Sequence, residues 1–511
     1  MKPFLAVFLS IILVFGVLSG CEKMEGPKEP TIGGFTPTDP TEKPQEDMPI
    51  DAEMSLVYNP EAPINPFQCT DSINRTLFTL MYQGLFTVDA DYQAYPILCD
   101  TYNVSADMKT YTFHLAANAL FSDGVHITAQ DVVASLEAAK GSPWYGGRLQ
   151  HVQTISAYGS TVVLELSTPM ENLPILLDIP VVKASQVAIS NPIGSGPYRL
   201  EITANGAWLQ RQAAWWSPAQ LPIEGDAIAL VPATSTAELQ NAFRFDNAGM
   251  VSAGADAYVD FRGDYELWDC ENGLFLYMVC HEKSEIFKNP ELRQALTYAI
   301  DRELLVETYY HGFATEAQLP ASPESPWYTE KLAQNYGYDP QKFADAVAAA
   351  NLESKEVTLL LNGDDITRTR VGQAIKSMLE AGGLKVTITT STAENLEESL
   401  KKATYDLYLG QTRLSPNMDL SAFFGTNTSL NYGGLADPSL YALSLEALAN
   451  AGNYYKLHEM VMEEGQLCPI LFQHNAIYTQ RGAFPELSPA RDNIFFYDLG
   501  RTLSDAHINQ D

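Results

Sequence analysis

The stretch from residue 82 to residue 136 limits the possible folds more than any other part of this 511-residue chain. Tyr111, Phe113 and Leu115 alternate with polar side chains, which is the pattern of a β-strand with one buried face. The triplet Ser122-Asp123-Gly124 comes next and has the composition of a turn. We therefore expect a strand that ends close to residue 115, followed by a reversal of the chain.

A helix should begin directly after this turn. Thr128 is followed three residues later by Asp131, a variant of the capping box in which each side chain can satisfy an exposed amide at the start of a helix. The helix would carry one apolar stripe, formed by Val132, Val133, Leu136 and Ala139. The stretch as a whole predicts a strand, a turn and a docked helix.

Three segments of the chain are similar to a known family. The stretch above resembles part of the family 5 solute-binding proteins of ABC importers, which include the oligopeptide and dipeptide receptors. Residues 192–198 (PIGSGPY) and 292–302 (LRQALTYAIDR) are similar to two further blocks, in the family's order. The short sequences that match in the first segment are YQGLF at 82–86, VSAD at 104–107, YTFHL at 111–115, FSDG at 121–124 and TAQDV at 128–132.

The resemblance implies an α/β fold of the two-lobed, periplasmic-binding-protein-like kind (class II, family 5), with an extra subdomain in the first lobe. Apolar runs at 273–279 and 468–472 would carry the chain into the second lobe and back. We expect lobe I to comprise residues 51–272 and 468–511, with the extra subdomain at about 74–187, and lobe II to comprise residues 273–467. Residues 74–83 read as one helix.

The N-terminus has the features of an export signal. Lys2 precedes an apolar run from Phe4 to Leu18, which is short for a membrane-spanning helix. Leu-Ser-Gly-Cys, ending at Cys21, resembles the bacterial lipobox, in which the cysteine is lipidated after cleavage. We expect residues 1–20 to be a lipoprotein signal peptide, and the alternative is an uncleaved anchor with an incidental cysteine. Residues 21–50 have the composition of a flexible tether, so the protein would be lipid-anchored at the outer face of the bacterial cytoplasmic membrane.

The charge of the chain argues against a nucleic-acid partner. Its 63 acidic residues outnumber 31 basic ones, for a formal charge of −32, whereas surfaces that bind nucleic acid are basic. Five cysteines remain besides Cys21, and export permits disulfides. If one forms, we expect it between Cys69 and Cys99, because both would lie in the first lobe.

The sequence gives little support for catalysis: its one Ser-x-x-Lys match, at residues 399–402, lies on a charged amphipathic helix and lacks the companion motifs. It contains no His-Glu-x-x-His motif, no phosphate loop of Walker type and no calcium loop. Ser195 stands between Gly194 and Gly196 but lacks the spacing of a nucleophile elbow, so we interpret this segment as a turn packed against the first lobe. We predict no enzyme activity, no metal site and no cofactor.

The segment 410–419 is the most informative about the ligand. The di- and oligopeptide receptors that this chain resembles place a tryptophan here, and then an aspartate that pairs with the α-amino group of the peptide. This sequence has Gln411 at the tryptophan position, Thr412 beside it, and Leu414 at the aspartate position. The amine anchor of the family is therefore missing.

Arg413 changes the expected electrostatics of the same segment. A guanidinium group favours an anion and offers a planar fork that suits a carboxylate. One hypothesis is that the ligand presents a carboxyl group to Arg413. The alternative is that Arg413 pairs with a protein acid such as Asp419, and Asp419 can itself be read as a displaced amine anchor. The resemblance adds further residues expected to line the ligand cleft: Asn59, Pro60, Glu61, Trp327, Asn431 and Tyr432.

The functional expectation is a monomeric receptor that closes two lobes around a peptide-like solute and delivers it to an ABC permease with its ATPase. Closure of this kind is a hinge motion in which the ligand contacts both lobes. Three alternatives stay open: a non-peptide solute such as a metal chelate, an oligosaccharide or an opine-like compound; a peptide sensor that takes no part in transport; and an exported hydrolase.

Overall fold

The computed structural model describes residues 54–217, 219–221, 223, 225–245, 248–254, 265–484 and 487–501. The predicted signal peptide, Cys21 and the tether lie outside the described residues. The strands are β1 Met54–Tyr58, β2 Phe86–Val88, β3 Ala94–Pro96, β4 Cys99–Val104, β5 Thr110–Leu115, β6 Val152–Tyr158, β7 Thr161–Leu166, β8 Tyr198–Thr203, β9 Gly206–Arg211, β10 Ala227–Pro232, β11 Met250–Ala253, β12 Tyr265–Cys280, β13 Ala314–Glu316, β14 Glu356–Asn362, β15 Lys385–Ser391, β16 Leu407–Arg413 and β17 Leu467–Gln480.

Helices cover the faces and ends of the sheets that these strands form. They are α1 Ser72–Arg75, α2 Phe78–Met81, α3 Ala129–Lys140, α4 Thr236–Phe245, α5 Pro290–Ala299, α6 Arg302–Tyr309, α7 Glu330–Ala333, α8 Pro340–Ala349, α9 Ile366–Ala381, α10 Leu396–Lys402, α11 Ser421–Phe424, α12 Pro438–Ala449 and α13 Tyr454–Glu464.

Two four-stranded sheets and one seven-stranded sheet organise the described chain. The four-stranded sheets have the orders β1-β10-β9-β8 and β4-β5-β7-β6, and β2 pairs with β3 in a small ribbon. The large sheet has the order β11-β17-β12-β16-β14-β15, with β13 also paired to β17. Within it, β14 runs parallel to both β15 and β16, whereas β12 is antiparallel to its neighbours. The sheet is therefore mixed, with parallel and antiparallel pairs.

The strand, turn and helix predicted from the opening stretch are confirmed. Tyr111 and Phe113 of β5 are fully buried, and α3 follows after a turn. The side chain of Thr128 accepts from the amide of Asp131, and the carboxylate of Asp131 accepts from the amide of Thr128 at 2.9 Å. Both halves of the capping box are therefore present, and the helix packs with Val132 and Leu136 in the core.

The two other family-like blocks hold the scaffold together. At Gly194 and Gly196 an added Cβ would lie 2.1 and 2.4 Å from main-chain oxygens of α2, so only glycine permits this close approach. Ser195 is 1% exposed, as expected for a packed turn. Arg302 is 2% exposed and donates to the carbonyls of Ala317 and Pro469 at 3.1 and 2.6 Å. It thereby ties α6 to β17.

Two expectations drawn from the sequence were wrong. Residues 74–83 do not form one helix, because α1 ends at Arg75 and α2 begins at Phe78. The break follows from Asn74, a buried side chain whose Nδ2 donates to the carbonyls of Asn59 and Ala62 at 2.9 and 3.2 Å. The expected disulfide is also absent, since the cysteines of the described residues are all free and buried.

Strands β12 and β17 are the two longest strands of the described chain and form the centre of the large sheet. They pair over most of their length, but the register shifts between Glu271 and Phe275. Gly273 lies at this shift with φ of +75°, a conformation that favours glycine. Arg491 packs directly against Gly273, so a side chain there would displace it. The shift therefore brings the C-terminal segment at Arg491 against the middle of β12.

Candidate functional site

A cleft of about 900 Å³ lies beside this register shift. One wall is built from α1, α2, the loop that carries Trp144 and the C-terminal segment around Asp492, and the other from residues 308–311, the start of α9 and the end of β16. The volume falls in the range of small-molecule sites, which are commonly found between domains. The wall combines aromatic rings with amides and charged groups.

Trp144 is the centre of a charged cluster at the end of the cleft nearest the register shift at Gly273, which we call the inner end. The guanidinium carbons of Arg75 and Arg413 lie 3.5 and 3.8 Å from the centre of its ring, within the range of cation–π attraction. Two guanidinium groups this close to one ring cannot share a face without overlapping, so they occupy opposite faces. The indole Nε1 of Trp144 donates to Asp492 Oδ1 at 3.2 Å.

Asp492 joins several of these cations. Its Oδ1 accepts from Arg413 Nη2 at 2.5 Å, and its Oδ2 accepts from Arg148 Nη2 at 2.5 Å. Burial alone would raise the pKa of Asp492, but Arg413 and Arg148 hold that pKa below its ordinary value. Burial lowers the pKa of Arg413 to about 10, although Asp492 opposes the change. Arg148 is also paired with Asp178.

Arg491 links the C-terminal segment to the end of β16. Its Nη2 donates to the carbonyl of Leu414, and its side chain is 8% exposed. Its Nε and Nη1 have no hydrogen-bond partner, and the same holds for Nη1 of Arg75 and Nε of Arg413. Buried donors without acceptors are uncommon in folded proteins, so the inner end of the cleft has spare capacity to donate hydrogen bonds.

The acids of the cleft, in contrast, are engaged. Asp365 caps α9 and accepts from Arg368 Nη2 at 2.9 Å, and Asp364 accepts from the amide of Ala393 at 2.8 Å. Asp178 and Asp492 are paired with arginines as described. Arg75 and Arg370, by comparison, form no ion pair within the described part of the chain. Arg75 and Arg370 are therefore cations of the cleft without a carboxylate partner, whereas Asp364 is an acid of the described lining that accepts from a main-chain amide and has no basic partner.

Two of the residues predicted for the site line this cleft. Gln411 accepts from Gln473 Nε2 at 2.7 Å, and Arg413 lies on Trp144. Of the two alternatives for Arg413, a protein acid is its partner in the structure, and that acid is Asp492 rather than Asp419. Thr412 stands on β16 opposite Phe275.

The other predicted residues lie outside the lining of the cleft. Leu414 is buried. Asp419 is also buried, and it accepts from Gln150 Nε2 at 2.5 Å and lies 2.9 Å from His151 Nε2. Asn59 is buried and its side chain donates to Asp71, whereas Pro60 and Glu61 are exposed. Trp327 packs between the rings of Tyr92 and Tyr454. Asn431 donates to the carbonyl of Gly425, and Tyr432 is half-buried.

The sequence did not indicate Arg75, Trp144, Arg491 or Asp492 as site residues. One local signal exists for Trp144, because an aromatic pair in the loop GSPWYGG has no periodic neighbours and must be held by tertiary contacts. Arg75 is a single charged residue more than 400 positions away from the adjacent pair Arg491 and Asp492, so no local pattern joins them. In the described residues, no group of His, Cys, Asp and Glu side chains is arranged to hold a metal ion. No described helix combines the length and apolar character that a membrane span requires.

The sequence matches the family model described as bacterial extracellular solute-binding proteins, family 5 middle, over residues 93–433. The chain belongs to this family. Family 5 proteins are extracytoplasmic binding proteins that work with an ABC permease and ATPase and take a small ligand. The family and the two-lobed α/β fold expected from the sequence are thereby confirmed.

The named relatives and solved structures that resemble this chain differ in the ligands that their names or complexes give. It is 26% identical over 364 residues to the glutathione-binding protein GsiB of Pectobacterium atrosepticum, covering 65% of this chain and 67% of that protein. AppA from Clostridium difficile superposes with a TM-score of 0.73 at 18% identity, over 88% of this chain and 99% of that one. AgaA of A. tumefaciens R10, solved with agropinic acid, gives 0.63 at 22% identity, over 84% and 93%.

Proposed function

We propose that this protein is an extracytoplasmic receptor that captures a peptide-like solute in the cleft beside Trp144 and delivers it to an ABC importer. The observation that supports this most is the cleft itself, whose volume of about 900 Å³ suits a small organic solute. Its two walls come from different lobes, so a bound solute would contact both and favour the closed state. We assign residues 51–272 and 468–511 to lobe I and residues 273–467 to lobe II.

We further propose that the protein is a monomer tethered by lipid. Residues 1–20 would be removed as a signal peptide, Cys21 would carry the acyl chains, and residues 21–50 would let the receptor reach its permease. Two or more acyl chains suffice for stable membrane attachment. Cells fed with labelled palmitate should label the wild-type protein but not a Cys21→Ser variant. Equal labelling of the two proteins would rule out lipidation at this position.

The ligand is peptide-like in this proposal, but the usual peptide receptor chemistry is altered. Leu414 offers no carboxylate to a peptide amine, and Asp419 faces Gln150 and His151 instead of the cleft. GsiB is named for glutathione, a small peptide, and AgaA was solved with agropinic acid. A non-peptide solute such as an opine-like compound, a metal chelate or an oligosaccharide is therefore the second candidate.

Uptake in living cells tests the transport role. Small molecules released from the denatured receptor are identified by mass spectrometry, and uptake of the recovered compound is compared between a wild-type strain and a strain that lacks the gene. We expect uptake to fall in the deletion strain and to return with the restored gene. Unchanged uptake, together with an altered cellular response to the compound, would favour a sensor. Conversion of the compound by the purified protein would favour a hydrolase.

A further inference from the structure

The cluster around Trp144 carries more positive than negative charge. Four arginines, at 75, 148, 413 and 491, surround the two aspartates at 178 and 492. This local excess occurs in a protein with a formal charge of −32, so it is not a consequence of general composition. Leaving buried charge uncompensated is costly. A bound anion would remove this cost.

The free donors of the cluster belong to two of these arginines in particular. Arg148 and Arg413 each have a carboxylate partner at hydrogen-bond distance. Arg75 donates only to the hydroxyl of Tyr145, at 3.1 Å, and its Nη1 has no acceptor. Arg491 donates to a main-chain carbonyl. Its Nε lies 3.7 Å from Asp492 Oδ2, beyond hydrogen-bond distance, and neither Nε nor Nη1 has an acceptor. Both side chains line the cleft.

Neighbouring groups hold these two guanidinium groups in place. Arg75 stacks on the ring of Trp144 at 3.5 Å, and Arg491 is packed against Gly273 at the register shift of β12 and β17. A preorganised cation with spare N–H groups recognises a carboxylate well, because two parallel hydrogen bonds form without reordering the side chain. The end of the cleft nearest the register shift is therefore a built anion site.

We propose that the solute is an organic anion and that Arg75 and Arg491 receive its carboxylate at the inner end of the cleft. The inference rests on the proposed function, which it deepens by naming the chemical class of the ligand. Arg413 supports the site without binding the solute, because Asp492 already neutralises its charge. On the opposite wall Arg370 is exposed and has no partner in the described residues. A second anionic group of the solute would bind to Arg370, which belongs to the proposed lobe II.

A fractionated natural mixture tests the class of ligand before its identity is known. The low-molecular-weight pool of yeast extract is separated by anion exchange into a retained and an unretained fraction, and each is added to the delipidated, ligand-stripped protein. The readout is the thermal unfolding midpoint, with the compound that stays bound after dialysis identified by mass spectrometry. Inorganic phosphate and sulfate are tested separately. We expect the retained fraction alone to raise the midpoint, and the bound compound to contain a carboxylate.

Variants then locate the anion. Arg75→Gln should raise the half-saturating amount of the retained fraction about tenfold or more, because a charge-assisted hydrogen bond pair is lost. Arg75→Lys should restore part of this loss, since the charge returns without the planar fork. Arg199→Gln, which removes an arginine paired with Glu201 on β8, is the matched control and should change the value by less than about twofold. The midpoint of each ligand-free variant reports whether it is folded.

Each outcome decides the proposal. Stabilisation by the unretained fraction overturns the anion inference and leaves the receptor function standing. Equal stabilisation by phosphate or sulfate alone overturns the assignment to a carboxylate. If Arg75→Gln and Arg199→Gln bind alike, the anion lies elsewhere and the site is wrong. If no fraction stabilises the protein and none leaves a bound compound, both the inference and the receptor function fail.

Discussion

His458 predicts a specific loss of stability in acid. The residue lies on α13, is fully buried, and its two ring nitrogens have no hydrogen-bond partner. Its ring stands 5.8 Å from that of Tyr454, whose hydroxyl donates to the carbonyl of Asn417. Burial lowers the pKa of His458 to about 3. The folded protein therefore keeps this imidazole neutral at pH values where the unfolded chain would protonate it.

The size and direction of the effect follow from this difference. The ordinary pKa of histidine is about 6.5, so above that pH neither state binds the proton and stability is unaffected. Below about pH 6.5 the unfolded state binds a proton that the folded state does not bind. The free energy of unfolding therefore falls by about 1.4 kcal/mol for each pH unit until about pH 3. At about pH 5 the loss due to His458 alone should be about 2 kcal/mol.

The variant His458→Leu isolates this contribution. Leucine fills a similar volume and leaves no unpaired nitrogen, so the variant should be more stable than wild type by about 1 to 3 kcal/mol at about pH 8. Guanidinium chloride unfolding of both proteins, followed by tryptophan fluorescence from about pH 8 to about pH 5, gives the difference at each pH. We expect this difference to grow by about 2 kcal/mol over the range.

Two results would refute the reasoning. If the curves of wild type and variant stay parallel in pH, the folded protein either accepts a proton on His458 or opens around it. If His458→Leu is less stable at every pH, the imidazole has a partner that the structure does not record. His126→Gln, at an exposed position, is the control and should alter stability by less than about 0.5 kcal/mol at either pH.

Three further substitutions test the scaffold and the cleft. Gly194→Ala places a Cβ 2.1 Å from a main-chain oxygen of α2 and should cost about 1 to 3 kcal/mol in the free energy of unfolding, whereas a neutral result would mean that this turn can move. Arg302→Met removes a buried guanidinium from several carbonyls and should cost about 3 kcal/mol or more, with circular dichroism melting as the check. Asp492→Asn leaves Arg413 without its acid and should cost about 3 to 5 kcal/mol; unchanged denaturation would show that this pair is not needed.

Local patterns predicted the elements of the fold well where the cause is local. The alternation through Tyr111 and Phe113 and the Thr128–Asp131 capping box each depend on neighbours within a few residues. The helix predicted at 74–83 failed because Asn74 binds main-chain groups fifteen and twelve residues earlier in the chain. No pattern of periodicity reports such a contact.

The candidate site was less predictable, since distance in the sequence hides it. Arg75 and Asp492 meet at Trp144 only because the C-terminal segment packs against the loop that carries Trp144. Resemblance to a family pointed to Arg413, but it could not supply the acid that pairs with it. The fold brings together charged residues from three segments that are far apart in the sequence. A single sequence gives no sign of which of its 63 acids will lie next to these arginines.

Ligand release from the purified protein tests the central claim most directly. Wild-type protein and a Thr79→Trp variant, whose new ring would fill the cleft from α2, are isolated from the same cells, denatured, and analysed by mass spectrometry for released small molecules. Glu285→Trp, at an exposed position outside the cleft, is the matched control. We predict one organic anion recovered from wild type and control and absent from Thr79→Trp. Equal recovery from all three proteins would contradict binding in this cleft.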